Sequence, residues 1–200
     1  MKKELALFKR LNTPAKVQDF INTIPFNFET DGVDTIKSPL RVLRENNAHC
    51  IEGAILSSYI LSLHKYKSYL VHLQTTDDDQ DHVVTVFKQN GLWGAISKTN
   101  HSVLRYRNPV YKNIRELVMS YFHEYFLDSG DKTLRKYSDP LDLNIFEKGW
   151  EVADFDLWDI DDELDNIKHY KIAPEKVLNT LRKADNIERE AGKIVEYKKK

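Results

Sequence analysis

The chain has 200 residues, 41% of them hydrophobic, with 30 Lys+Arg against 31 Asp+Glu. That length and apolar content support one folded domain, or one domain with an extension, and exclude disorder, which requires low hydrophobicity and high net charge. A formal net charge of -1 excludes a globally basic nucleic-acid binder.

The lone cysteine, Cys50, leaves no intrachain disulfide and no Cys-rich zinc site. No apolar run approaches the ~20 residues of a membrane span. The start, Met1-Lys2-Lys3-Glu4, has no apolar stretch behind its lysines, so a secretory signal is not expected and a soluble cytoplasmic protein is. There is no internal repeat and no low-complexity tract.

Residues 1–40 read as broken helix. Thr13-Pro14 places a capping side chain before a first-turn proline, Val17, Phe20 and Ile21 follow at helical spacing, and Pro25 ends the run. Ser38-Pro39 repeats the start signal, with Leu40 and Leu43 as the expected apolar stripe. From Asn46 to His64 the residues beyond Glu52 are almost all small or apolar, which predicts a helix buried all round, with Asn46 or Asn47 as its N-cap.

Strands are expected over Ser68–Leu73, His82–Phe87 and Leu92–Lys98, and Asn90-Gly91 is a strong two-residue hairpin signal. Helix is expected again from Asn108-Pro109 through Phe126. Gly130 closes that unit, an acidic stretch runs from Asp139 to Asp165, and Ala173-Pro174 starts a last helix with a charged tail. A soft boundary near residue 130 separates residues 1–130 from a helical, acidic extension over 131–200.

One constellation carries chemistry. If Asn47 caps the buried helix, Cys50 lies in the first turn, where free N–H groups and the helix dipole stabilise a thiolate and can also bind a developing oxyanion. Taken alone, a single cysteine is more often a small buried hydrophobe. The hairpin turn pairs Gln89 with Leu92, and counting back places Val84 opposite Ser97 and His82 opposite Thr99. Ser97 is then a diagonal neighbour of His82 on one face of the sheet. A histidine beside a hydroxyl can serve as a general base with its tautomer fixed; the plainer reading is a strand-edge histidine satisfied by backbone or water.

A cysteine at a helix start, then a histidine opening a strand, then an antiparallel partner strand with a polar residue facing that histidine: in this order the chain resembles the transglutaminase-like branch of the papain-type thiol superfamily. The matching segments are Asn47-Ala48-His49-Cys50-Ile51-Glu52-Gly53-Ala54, Asp81-His82-Val83-Val84-Thr85-Val86-Phe87 and Gly91-Leu92-Trp93-Gly94-Ala95-Ile96-Ser97. The resemblance covers roughly residues 38–100, about a third of the chain. The stretch from Arg105 to Phe126 looks like part of an uncharacterised bacterial subfamily.

The resemblance implies an α+β fold: N-terminal helices and a buried Cys-bearing helix packed on a small antiparallel sheet, with a helical C-terminal extension. It implies Cys50 as nucleophile and His82 as base in amide or peptide hydrolysis or transfer. The substrate would be a peptide or amide, with no cofactor. The chain departs from the family where an acid is usual, since Ser97 stands there. Ser97 or Asn100 would orient His82, or Asp79 or Asp81 from the loop would, or the site is inactive and the fold serves as a protein-interaction module. Asn46 and Asn47 are further oxyanion candidates.

Other patterns have plainer readings. His49, His82 and Cys50 are a conceivable zinc set but lack ligand spacing, so no metal is expected. The acidic run from Asp154 to Asp165 lacks the glycine of a calcium loop and reads as a solvated face, with Trp158, Ile160 and Leu164 as core anchors. Arg105, Arg107 and Lys112 with Tyr106 and Tyr111 form a short basic-aromatic patch, better read as a packing loop than as a nucleic-acid surface. Ala184–Lys200 reads as a solvated helix or frayed tail.

Overall fold

The structure, a computed structural model, describes residues 6–29 and 32–198. The readings at Met1–Glu4 and at Lys199 and Lys200 lie outside them.

Helix α1 spans Pro14–Thr23, α2 Pro39–Glu45 and α3 Cys50–Leu63. Both proline starts form as the capping chemistry predicts: Thr13 Oγ1 accepts from Lys16 N–H and Ser38 Oγ from Arg41 N–H. In α1 the buried residues include Val17 and Ile21. In α2 the buried side chains are Pro39 and Val42, whereas the expected stripe of Leu40 and Leu43 is only half-buried. Helix α3 is enclosed from Ile51 to Leu61 apart from the half-buried Tyr59, matching its unbroken run of small and apolar residues.

Strands β1 (Ser68–Gln74), β2 (His82–Gln89) and β3 (Leu92–Ile96) follow. The hairpin register is the one the Asn90-Gly91 turn dictates, Gln89 opposite Leu92 and Thr85 opposite Ile96, with both turn residues at positive φ. Next comes β4, Arg107–Tyr111, where a run into helix was expected. Pro109 is compatible with a strand here because β4 is the edge of the sheet. The helix that follows, α4, is only Ile114–Met119, and the expected continuation to Phe126 breaks into a 3-10 turn at Phe122–Glu124.

The C-terminal part is not purely helical. Strands β5 (Lys136–Ser138) and β6 (His169–Lys171) extend the same sheet, which is antiparallel throughout with the order β4-β3-β2-β1-β5-β6. The sheet therefore takes strands from both sides of the expected boundary near residue 130. Helix α5 (Trp158–Asn166) buries Ile160 and Leu164, but Trp158 is 44% exposed and is no anchor. After α6 (Glu175–Leu178) and α7 (Asn186–Gly192), the chain lies beside residues 100–102 and is not frayed: Ser102 N–H donates to the Ile194 carbonyl at 3.0 Å and Glu196 N–H to the Asn100 carbonyl at 2.8 Å.

Alternation along the strands divides the core into two layers. Leu70, Val83, Phe87 and Ile96 pack toward the N-terminal helices and α5, while Val71, Leu73, Val84, Val86 and Ala95 pack against Leu117, Val118, Tyr121 and Tyr125. Thr85 crosses to the helix layer, its hydroxyl donating to the Ala54 carbonyl at 2.6 Å. Helix α3 can lie this close because of Gly53. A Cβ built there would fall 2.4 Å from Lys98 Cβ, in the segment just beyond β3.

Gly53→Ala is expected to destabilise the protein by about 1–3 kcal/mol through overpacking, even though alanine favours helix by up to ~1 kcal/mol. Urea unfolding measures it, and an unchanged or increased stability would show that this close approach does not constrain the fold.

Candidate active site

Cys50 is the first residue of α3, and the turn that holds it is built by a buried carboxylate. Glu52 is fully buried. One oxygen accepts from Thr35 Oγ1 at 2.7 Å and from Lys37 N–H at 3.1 Å. The other accepts from His49 N–H at 2.9 Å and from Asn27 Nδ2 at 3.4 Å. The N-cap backbone is thus satisfied by the side chain three residues on, half of a capping box. Just upstream, Asn27 N–H donates to the Ala48 carbonyl and Ala48 N–H to the Pro25 carbonyl.

The N-cap is His49, not Asn46 or Asn47. Asn46 caps the other end of α2 in a left-handed conformation, and the Asn47 side chain accepts from the Lys37 ammonium. Both asparagines are thereby committed to holding the connection between two helices.

Cys50 is half-buried, and two imidazoles, His49 and His82, act on its thiol. Burial pushes the thiol up, but hydrogen bonds and charge interactions with both rings outweigh it and hold the thiol well below its usual range. For His49, burial is again the largest single influence and lowers the value. The Cys50 sulfur, the Glu52 charge and the Thr35 carbonyl reverse it, raising the imidazole to about 9. His49 Nε2 donates to the Thr35 carbonyl at 2.6 Å, leaving Nδ1 for the sulfur.

His82, at the start of β2, has its Nε2 2.8 Å from Ser97 Oγ. The serine hydroxyl hydrogen is directed to the Leu104 carbonyl, 2.5 Å away. Ser97 Oγ must therefore accept from His82 Nε2–H, which leaves Nδ1 as the ring atom open to the thiol. Ser97 is itself clamped: the Gln18 side chain of α1 accepts from Ser97 N–H and donates to its carbonyl, each at 2.9 Å. The register argument thus leads to the His82–Ser97 contact, although Ser97 lies one residue past the end of β3.

The other residues considered as orienters of His82 are engaged elsewhere. Asn100 exchanges two hydrogen bonds with the Tyr197 backbone, 2.8 and 2.9 Å. Asp81 pairs with His72 Nε2 at 2.9 Å and accepts from Thr75, and Asp79 accepts from Thr133 Oγ1 at 2.5 Å. The His72–Asp81 pair raises the imidazole against its burial and lowers the carboxyl against its own. His169 Nε2 lies 3.2 Å from the other nitrogen of His72.

Cys50 and His82 open into a cavity of about 700 Å³ that also reaches Phe28, Lys98, Tyr125 and Arg189. Among the described residues no three His, Cys, Asp or Glu side chains are arranged to hold a metal ion, and no helix is long and apolar enough to cross a membrane. Two charges of the basic-aromatic patch are paired inside the molecule: Arg105 with Glu196 at 3.2 Å, and Arg107 with Glu124 at 2.5 Å and over the Tyr121 ring.

His49, Glu52, Gln18 and Tyr125 were not read as site residues from sequence. The signals for two of them were local: a histidine immediately before the cysteine, and a glutamate at the third position of its helix. Gln18 and Tyr125 arrive from distant segments and carry no local signal.

Glu52→Gln keeps the shape but turns one acceptor into a donor facing other donors. It is expected to lower stability in urea unfolding by about 2–4 kcal/mol, and a loss below ~0.5 kcal/mol, the scale of an ordinary surface change, would show that the carboxylate does not hold the turn.

No family model matches the chain, and no curated protein matches it. Solved structures do. Legionella pneumophila LapG is similar with a TM-score of 0.37 and 16% sequence identity, over 44% of this chain and 53% of that one, so that the chain spans about half of its length. The EGTA-treated form of Legionella pneumophila LapG is similar with a TM-score of 0.41 and 13% identity, over 70% of this chain and 74% of that one.

Proposed function

We propose that this protein is a thiol enzyme of acyl transfer that cleaves or transfers an amide or peptide bond, with Cys50 as nucleophile and His82 as acid–base. What supports this reading is a thiol at a helix N-terminus that shares a cavity with an imidazole whose Nε2 is tied to Ser97.

The steps follow from the groups present. The Cys50 proton passes to His82 Nδ1, and the thiolate attacks the substrate carbonyl carbon, forming a C–S bond. The carbonyl electron pair moves to oxygen, where the first N–H groups of α3 stabilise it. On collapse the C–N bond breaks and His82 delivers its proton to the leaving amine. Ser97 accepts from Nε2–H in both ring protonation states, so it keeps the ring oriented throughout. His49, charged at neutral pH, adds a cation beside the thiolate. Water or an amine then releases the acyl group, and no cofactor is called for.

One observation favours a second reading. Ser97 is neutral and cannot stabilise an imidazolium as a carboxylate does. In that reading the fold is a non-catalytic module for a protein partner. The enzyme reading is preferred because a depressed thiol opening into a cavity has no use in a pure binding module.

The test is iodoacetamide labelling of Cys50 followed by mass spectrometry. An ordinary thiol near ~8.5 loses about 25-fold in thiolate between pH 8 and pH 6.5. A thiol held low keeps its charge, because the thiolate is lost only as pH falls through the depressed value. The pH 6.5 rate is therefore expected within about threefold of the pH 8 rate, and His82→Ala should lower it about tenfold. Labelling with the pH profile of a free thiol, unaltered in His82→Ala, would sink the enzyme reading in favour of the module.

A further inference from the structure

Among the described residues, the Tyr125 hydroxyl is one of two buried side-chain polar atoms without a hydrogen-bond partner, the other being Arg189 Nε. Tyr125 is 3% exposed, and it lines the cavity onto which Cys50 and His82 open. An unsatisfied buried donor costs about 1–3 kcal/mol, so such groups are rare and ask for an explanation.

Its neighbours sharpen the point. Cys50, Asp79 and Asp81 all lie within electrostatic range of the ring. Both carboxylates are taken up by Thr133, Thr75 and His72, and neither accepts from the phenol. Burial, followed by these negative groups, pushes the Tyr125 hydroxyl well above its usual range, so it stays protonated and keeps a hydrogen to donate. A ligand that meets that hydrogen brings an acceptor oxygen, such as a carbonyl.

We propose that Tyr125 is a catalytic residue: its hydroxyl donates to the carbonyl oxygen of the acyl substrate and holds the oxyanion formed when Cys50 attacks. This rests on the thiol-enzyme reading. The bonds balance as follows. The C–S bond forms, and the C=O π pair becomes the oxyanion, which accepts from Tyr125 O–H and from the start of α3. That pair then returns to rebuild C=O as the bond to the leaving group breaks, and the phenol keeps its own proton throughout. The acceptor class is therefore a carbonyl of an amide, peptide or ester, presented from the cavity side.

The experiment compares two reagents on the full chain, wild type and Tyr125→Phe. Iodoacetamide alkylates the thiolate by displacing iodide at a tetrahedral carbon, with no oxyanion. p-Nitrophenyl acetate acylates it through one, releasing p-nitrophenolate. Tyr125→Phe is expected to leave alkylation within about twofold while acylation falls roughly 100-fold, the order seen on removing one oxyanion donor. Because the hydroxyl has no partner, Tm should be unchanged or higher in the variant.

Acylation undiminished in Tyr125→Phe, or alkylation and acylation falling together, overturns the assignment while leaving the thiol enzyme standing. A lower Tm shows the hydroxyl to be structural and overturns it as well. Slow alkylation of wild-type protein, with the profile of a free thiol, overturns the enzyme reading and this assignment with it.

Discussion

The Glu52 carboxylate is the constraint on which the site depends. It is fully buried, and it accepts from four groups in three separate stretches of chain. A buried charge is tolerable only when its lone pairs are met in this way. Meeting them fixes Asn27, Thr35 and Lys37 against the start of α3, and so decides how the turn that carries Cys50 is held and which carbonyl His49 meets. Gly53, the next residue, allows the segment carrying Ser97 and Lys98 to approach the same turn.

Around that turn the two imidazoles have different supports. His49 is held by a backbone carbonyl beside Glu29 and Glu52, 3.4 and 3.6 Å away, so it keeps a proton and stands as a fixed cation. His82 is held by a hydroxyl that carries no charge and whose own hydrogen is committed to Leu104. In the proposed thiol enzyme, one ring stabilises the thiolate while the other is left to move a proton. That division offers a physical answer to the missing carboxylate: charge near the sulfur comes from a different direction. Tyr125, which lines the same cavity, keeps an unpaired hydroxyl, an unfavourable feature for folding of the kind that accumulates where a ligand is to be bound.

Local chemistry was legible in the sequence wherever its partners were near in the chain. The Thr13-Pro14 and Ser38-Pro39 starts, the enclosed α3 and the Asn90-Gly91 hairpin all follow from neighbours, and the hairpin register carried His82 to Ser97. The failures have one cause as well. Strand β4 was read as the approach to a helix because edge position, which excuses Pro109, is a property of the sheet. Strands β5 and β6 have three residues each, too few for a period to show, and exist because β1 left an edge open. Asn100 looked free to serve His82, but a segment almost a hundred residues downstream claims it.

What the sequence determined by itself is the set of short-range geometries: a cysteine in the first turn of an apolar helix, and a histidine and a serine brought together by a two-residue turn. Such relations need only backbone periodicity and capping. What only the tertiary structure decided is which side chains converge on that sulfur. His49 became the cap because Glu52 took its N–H, Gln18 reached Ser97 from another helix, and Tyr125 was buried beside the cavity without a partner. Each depends on distances between segments, which no local pattern of residues encodes.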